Sequence, residues 1–198
     1  MPTAKKYLFL LLCCFLAACN SNKKILETYQ NHLKNLPRTP TVTTANGMII
    51  PEWRKTLNHL DGVRLPRFEG ESMTGGTVKV NYKGKPFTLL NFWFISCPPC
   101  VEEIPYLNQL QKEYGDRLQI ISIGRDSKEE IERFMLEHPM QYTIVPNGTR
   151  IIEDVFITVN GYPKNYLTDS NGKVLKLTRG FRGTDDGNYK TIVSFLKK

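Results

Sequence analysis

From about residue 63 onward, the apolar and polar positions alternate between the two-residue period of strands and the longer period of helices. The segments TVKVNY, FTLLNFWFI and RLQIISIG are rich in β-branched and aromatic residues and predict three strands. FTLLNFWFI is almost continuously apolar, which is typical of a central strand. Farther along the chain, KNYLT and KVLKLT predict a hairpin that turns across residues 169–172.

Helices are predicted between and after these strands. The segment Pro98–Tyr114 places Ile104, Leu107 and Leu110 on one face. Ser127 followed by Glu130 forms a capping box that predicts a helix to about residue 137, and a last helix is predicted over about 186–196. Strands that alternate with helices predict an α/β fold, with helices packed against the faces of a sheet.

The N-terminal segment has the pattern of a secretory signal. Lys5 and Lys6 precede an apolar block, Tyr7–Leu16, that is shorter than the ~20 apolar residues of a membrane-spanning helix. The end of the block, LAAC, resembles the lipobox of bacterial lipoproteins, whose cysteine is lipidated and becomes the first mature residue. An ordinary cleavage site near a cysteine is the alternative. We predict a signal peptide over residues 1–18 and lipidation at Cys19.

Residues 19–62 are predicted to be a tether and an N-terminal extension, followed by a single domain over residues 63–198. Within the extension, helices are predicted over Lys24–Leu36 and Pro51–Leu60. The formal net charge of +8 falls to +6 without Lys5 and Lys6, and the chain has no run of five like charges. Scattered cations are typical of a solvated surface, so no nucleic-acid partner is predicted.

The five cysteines of the chain have different expected uses. Of the five cysteines, Cys13 and Cys14 lie in the signal and Cys19 carries the predicted lipid, which leaves Cys97 and Cys100. Cys97 follows a predicted central strand and precedes a helix, where backbone N–H groups and the helix dipole favour a thiolate. We expect Cys97 to be exposed, with a lowered pKa, and to attack a substrate disulfide. We expect Cys100 to be shielded one turn into the helix and to displace the captured substrate.

Three other uses of the pair are weighed and disfavoured. A zinc site needs about four ligands, and the three histidines of the chain are not in spaced pairs, so no metal is predicted. Haem attachment needs a histidine where the chain has Val101. A structural staple between such close neighbours removes little entropy from the unfolded chain.

With a strand, CPPC and a helix in this order, the chain resembles the thioredoxin superfamily. It is most similar to the exported, membrane-tethered thiol-disulfide oxidoreductases called TlpA-like or redoxin-type. The resemblance covers about 65–198 and is carried by LPRF, YKGKPFTLLNFWF, CPPCVEEIP and GYPKNYLTDSNGKVL. It implies a thioredoxin-like fold, in which helices flank a central mixed β-sheet, with an N-terminal β-hairpin extension.

The resemblance also implies roles for single residues. Cys97 is the expected nucleophile and Cys100 the resolving thiol. Pro163 is the expected cis-proline, whose loop lies against the cysteine pair and presents the backbone of Tyr162 to a substrate chain. From the residues alone, an ordinary trans proline is favoured at this position.

Glu103 matches an acidic residue that the family keeps near its active site. It is predicted to take or return the proton of Cys100, and a solvated helix glutamate, like Glu102, is the alternative. The chain departs from thioredoxin itself, which has tryptophan and aspartate where Ser96 and Asn91 stand.

We therefore predict an exported, lipid-anchored protein disulfide reductase of the bacterial cell envelope that works without a cofactor. Its expected partners are disulfides of other exported proteins, a membrane or periplasmic electron donor, and the membrane itself through the lipid. The alternatives are a thiol peroxidase and a non-catalytic, copper-binding module on the same fold. A peroxidase motif would place threonine or serine where Phe94 lies, and no methionine or histidine near the cysteines completes a copper site.

Overall fold

The described chain alternates strands and helices around one mixed sheet. The structure is a computed structural model that describes residues 20–36, 41–43, 49–51, 58–156 and 161–198. Its strands in chain order are β1 (Thr41–Thr43), β2 (Ile49–Pro51), β3 (Phe68–Glu71), β4 (Thr77–Val80), β5 (Phe87–Trp93), β6 (Leu118–Gly124), β7 (Thr143–Val145), β8 (Lys164–Asp169) and β9 (Val174–Thr178). Its helices are α1 (20–34), α2 (Pro98–Tyr114), α3 (Lys128–Met135) and α4 (Gly187–Leu196).

The central sheet has the strand order β7-β6-β5-β8-β9. Strands β5, β6 and β7 are parallel, whereas β8 runs antiparallel to β5 and β9 antiparallel to β8. The parallel strands are joined through helices, because a parallel crossover needs a connection long enough to return to the same edge. The mixed sheet flanked by helices confirms the predicted fold class.

Two further hairpins lie outside the central sheet. β1 pairs with β2, and β3 pairs with β4, both antiparallel. The resemblance implies an N-terminal β-hairpin without giving its residues, and both hairpins precede the central strand β5. The helix predicted over Pro51–Leu60 is wrong at both ends: Pro51 belongs to β2, where it pairs with Thr41, and a 3-10 turn occupies Asn58–Leu60. A proline at the end of a short edge strand is tolerated because no ladder hydrogen bond needs its missing N–H.

The two faces of the sheet bury separate apolar clusters. Along β5, Leu90 and Phe92 face one cluster and Leu89 faces the other, as the two-residue period requires. The first cluster joins Phe156 and Tyr166, and the second joins residues of α2 and α4. The sheet is therefore covered on both sides, and α2 is held against the second face.

Helix α1 packs on the first face of the sheet. Tyr29 is fully buried, and its hydroxyl donates to the carbonyl oxygen of Phe156 over 3.0 Å. Asn22 accepts from the Arg67 amide over 2.9 Å and donates to the Arg67 carbonyl over 3.2 Å. α1 is thus part of the packed core although it precedes the domain boundary that we predict at residue 63; that boundary stays a prediction.

Most of the remaining predicted elements are found in the structure close to their predicted positions. The hairpin β8–β9 and the capping box of α3 are confirmed, with Ser127 and Glu130 exchanging side chain to backbone hydrogen bonds. α1 begins before Lys24, the predicted start. The predicted signal peptide and Cys19 lie outside the described residues. No helix in the described part of the chain is both long and apolar enough to cross a membrane.

Candidate active site

The two cysteines lie at the N-terminus of α2 and are joined in a disulfide. The sulfur atoms are 2.07 Å apart and the Cα atoms 5.2 Å apart. Cys97 is the N-cap residue with extended backbone angles, and Pro98 and Pro99 fill the first two helical positions. Prolines are suited to these positions because the first N–H groups of a helix have no partner within it. The chain turns from β5 into α2 within four residues, and the Asp126 carboxylate fixes this turn by accepting from the Ile95 amide over 2.8 Å.

Both cysteines are covered in this redox form. Cys97 is 4% exposed and Cys100 1% exposed. The shielding of Cys100 is confirmed, but the expectation that Cys97 is exposed is wrong for the disulfide. The reason is that both cysteines belong to a buried apolar cluster, against which Phe94 and Tyr162 pack.

The loop before β8 brings the predicted substrate-binding residues to the same cluster. The peptide bond between Tyr162 and Pro163 is cis, as the resemblance implies. The ring of Tyr162 meets the ring of Phe94 edge to face, with centroids 5.2 Å apart. Gly180 has a φ of +73°, and a Cβ added there would lie 2.6 Å from Pro163 Cγ and 3.1 Å from Glu103 Oε2, so a side chain would be strained and would displace its neighbours. Pro163, Gly180 and Glu103 therefore lie close together.

Glu103 is fully buried between α2 and the sheet. The Asn91 amide donates to Glu103 Oε1 over 2.7 Å, and the Asn165 amide donates to Oε2 over 2.9 Å. Asn91 also donates to Asn165 Oδ1 over 2.9 Å and accepts from Ser122 Oγ over 2.6 Å. The carboxyl group thus ends a polar network that spans three strands of the central sheet.

Burial controls the charge of this carboxyl group. Loss of hydration raises the pKa of Glu103 to about 8, although hydrogen bonds from Asn165, Asn91 and the Phe181 backbone favour the carboxylate. Glu103 is therefore mostly neutral at pH 7 in the disulfide form. The alternative of a solvated helix glutamate is wrong for Glu103 and correct for Glu102, which is exposed and lies 3.1 Å from the Arg182 guanidinium.

Five predicted residues meet at this site. Cys97, Cys100 and Glu103 come from the first two turns of α2, and Tyr162 and Pro163 come from the loop before β8. Their individual roles stay predictions. The described residues contain no group of three or more His, Cys, Asp or Glu side chains that resembles a metal site.

Sequence reasoning did not assign Asn165 or Ser122 to the site. Asn165 is fully buried in a strand whose other residues are also covered, and Ser122 is equally buried in β6. Ser122 stands among the apolar residues of LQIISIG, which is a signal because a buried polar group needs a partner, whereas β8 (KNYLTD) is itself mostly polar and carries no such signal for Asn165.

A cysteine disulfide at a helix N-terminus, next to a cis-proline on a mixed sheet, defines a class of protein: the redoxin-type thiol-disulfide oxidoreductases of the thioredoxin superfamily. A sequence model of the AhpC/TSA family matches residues 62–177. The chain belongs to that family.

Similar proteins include two from Bacillus subtilis (strain 168). The thioredoxin-like protein YneN is 30% identical over 126 residues, which cover 61% of this chain and 72% of YneN. The thiol-disulfide oxidoreductase ResA is 31% identical over 124 residues, which cover 61% of this chain and 68% of ResA. Among solved structures, the thioredoxin domain of a thiol-disulfide oxidoreductase from Bacteroides vulgatus superposes with a TM-score of 0.60. It is 28% identical, and the match covers 69% of this chain and 97% of that domain.

Proposed function

We propose that this protein is an exported, lipid-anchored disulfide reductase that acts on disulfides of other exported proteins. The observation that carries the proposal is the Cys97–Cys100 disulfide at the start of α2, packed against the cis-proline loop. A disulfide in this position closes a very short loop, so it contributes little to stability and is suited to a redox couple.

The reaction takes two exchange steps. In the reduced protein, the Cys97 thiolate attacks one sulfur of a substrate disulfide, so that a Cys97–substrate bond forms and the substrate bond breaks, releasing a substrate thiolate. The Cys100 thiolate then attacks Cys97, forming the Cys97–Cys100 bond and releasing the second substrate sulfur. Two electrons pass from the cysteine pair to the substrate, and a membrane or periplasmic electron donor restores the dithiol.

Glu103 is the proposed acceptor of the proton that Cys100 must lose. The two residues lie three positions apart on α2, so their side chains occupy adjacent turns of one face. When it is ionised, Glu103 can accept the Cys100 proton as Cys100 attacks. The raised pKa of Glu103 in the disulfide form fits a carboxyl group that holds this proton after the exchange.

The test replaces each cysteine in turn and follows reduction of a model protein disulfide. Cys97→Ala is expected to abolish turnover. Cys100→Ala is expected to accumulate a mixed disulfide through Cys97 that a non-reducing gel detects. Ser96→Ala changes the neighbouring residue without removing a thiol and serves as the matched control for local perturbation. A fully active Cys97→Ala protein would contradict the proposal.

Two further measurements separate this function from its alternatives. A reduction potential near the about −270 mV of thioredoxin supports an electron donor, whereas a value near −120 mV indicates an oxidant. Peroxide consumption by the reduced protein, at a rate above that of Cys97→Ala, would favour a thiol peroxidase instead.

The location has its own test, because it depends on Cys19. Cells given an alkyne-labelled fatty acid are expected to label the wild-type protein and not Cys19→Ala. The unlabelled variant is expected to leave the membrane fraction. Labelling of Cys19→Ala would contradict lipidation at this residue.

A further inference from the structure

The start of α1 is fixed to the domain close to the predicted lipid. The side chain of Asn22 accepts from the Arg67 amide over 2.9 Å and donates to the Arg67 carbonyl over 3.2 Å. Asn22 follows Cys19 by three positions, and three residues of chain span at most about 11 Å. A lipid on Cys19 would therefore hold this side of the domain close to the membrane surface.

A groove of about 400 Å³ opens between α1 and the segment that precedes β3. Its lining residues are Ser21, Lys24, Ile25, Thr28 and Arg64. Lys24 and Arg64 are exposed, and no ion pair among the described residues involves either of them. Glu27, the acidic residue of α1, does not line the groove, and Asp61 interacts with Lys176. The groove is therefore positively charged.

Lys173 extends the positive charge beside Arg64. The two residues form an isolated antiparallel bridge, and a Cβ added at Gly62 would lie 3.5 Å from Lys173 Cε. Lys173 is exposed, and within the described part of the chain it has no ion pair. The nearby Asp169 carboxylate accepts from the backbone amide of Lys173 over 2.9 Å. The fold thus gathers three cations that are far apart in the sequence into a basic surface: Lys24, Arg64 and Lys173.

The basic surface and the disulfide lie at opposite ends of the central sheet. Phe87 at the start of β5 pairs with Asp169 at the end of β8, and the turn that leads to Lys173 lies at this end. Cys97 follows the other end of β5, after Trp93. The six residue steps along β5 cover about 20 Å. A membrane against the basic surface would therefore leave the disulfide on the far side of the domain.

We propose that the basic surface binds the phosphate groups of anionic phospholipids, so that the domain lies on the membrane in one orientation with its disulfide turned away from the lipid. The inference rests on the lipid anchor of the proposed function and adds a second contact to it. Each lysine or arginine near an anionic lipid surface adds attraction, and a basic patch strengthens the binding given by an acyl anchor. Disulfides of soluble exported proteins then approach Cys97 from the side opposite the membrane.

The test compares the mature lipidated protein on two kinds of vesicle, phosphatidylcholine alone and phosphatidylcholine with about a third of phosphatidylglycerol. A water-soluble reagent acetylates exposed lysines, and mass spectrometry quantifies the labelling of each. Labelling of Lys24 and Lys173 is expected to be about fivefold lower on the anionic vesicles, and added salt is expected to remove the difference. Lys190 is the internal control, because it is exposed on α4 across the sheet from α1, and it should label equally on both.

Arg64→Gln tests the groove without removing a labelled lysine. It is expected to reduce the protection of Lys173 on anionic vesicles to less than about twofold, because one of the three cations is lost. The matched control is Arg182→Gln, which removes an exposed arginine that lies 3.1 Å from Glu102 on α2. This control is expected to keep the wild-type protection of Lys173.

The outcomes are distinguishable. Equal labelling of Lys173 on both vesicles overturns the proposal, and selective protection of Lys190 overturns the orientation. Unchanged protection in Arg64→Gln overturns the assignment to the groove. The mass of the N-terminal peptide shows whether Cys19 carries lipid. If it does not, sedimentation with the two vesicles decides: more protein with the anionic vesicles supports the basic surface, and equal amounts overturn it. A protein that is protected as expected but reduces no disulfide contradicts the redox function alone.

Discussion

Glu103→Gln is expected to remove a pH dependence from the stability of the oxidised protein. The Glu103 carboxyl group has a pKa of about 8 in the folded protein because it is buried, compared with an ordinary value of 4.5. Between these two values the folded protein holds a proton that the unfolded chain has lost. Glutamine resembles the protonated acid in shape and charge and cannot titrate.

The sign follows from the direction of the shift. Since the folded state binds more protons in this window, the free energy of unfolding falls as pH rises. The contribution is complete below pH 4.5 and is lost as pH rises through about 8. One proton changes the free energy of unfolding by about 1.4 kcal/mol per pH unit, so the whole window is worth about 5 kcal/mol. Between pH 5 and pH 8, which covers most but not all of this window, the stability of Glu103→Gln relative to wild type should therefore rise by about 3–4 kcal/mol.

The assay is urea unfolding of both oxidised proteins at pH 5, 6, 7 and 8. Any fixed cost of placing an amide beside the Asn91 and Asn165 amides shifts the comparison equally at every pH. Glu102→Gln removes a carboxyl group from the exposed side of the same turn and controls for charge on the helix. If charge on the helix caused the effect, Glu102→Gln would show the same change with pH as Glu103→Gln. A difference between Glu103→Gln and wild type that is independent of pH would refute the reasoning.

Three other substitutions test the packing around the site. Gly180→Ala places a Cβ 2.6 Å from Pro163 Cγ at a φ of +73°, so we expect a loss of about 1–3 kcal/mol in unfolding free energy, and an unchanged urea midpoint would contradict this geometry. Ser127→Ala removes the N-cap of α3 and should cost about 1 kcal/mol in the same assay while disulfide reductase turnover is retained. Tyr29→Phe removes the hydroxyl that donates to the Phe156 carbonyl and should lower the free energy of unfolding by about 1 kcal/mol. Amide hydrogen exchange across residues 20–34 should also become faster. Wild-type exchange rates would argue against docking of α1.

Short sequence patterns predicted the helix that carries the active-site cysteines. Helix α2 was predicted to the residue because prolines mark its start and an apolar stripe that includes Leu107 and Leu110 marks its length. The same stripe contains the signal for the burial of Glu103, since positions 103, 107 and 110 lie on one face of a helix. The spacing from Cys100 alone does not separate a buried Glu103 from a solvated glutamate like Glu102, whereas this stripe does.

Long-range contacts account for what sequence reasoning could not predict. Asn165 lies 62 residues after Glu103 and 74 after Asn91, and only the pairing of β8 with β5 brings the three together. Strand β7 has only three residues, which is too short for a clear period. The cis bond before Pro163 has no local signature in the residues, so only the family resemblance predicted it.

The two buried ionisable groups near the cis-proline should act independently. Asn165 points to the face of the sheet where it donates to Glu103, and the adjacent Lys164 points to the opposite face because successive strand residues alternate. Neither charge is among the causes that shift the pKa of the other. Groups without shared partners usually contribute additively. In the double variant Glu103→Gln/Lys164→Gln, the two changes in the free energy of unfolding, measured by urea unfolding at one pH, should therefore add. A double variant whose change departs from this sum by more than about 0.5 kcal/mol would show instead that the sheet couples the two groups.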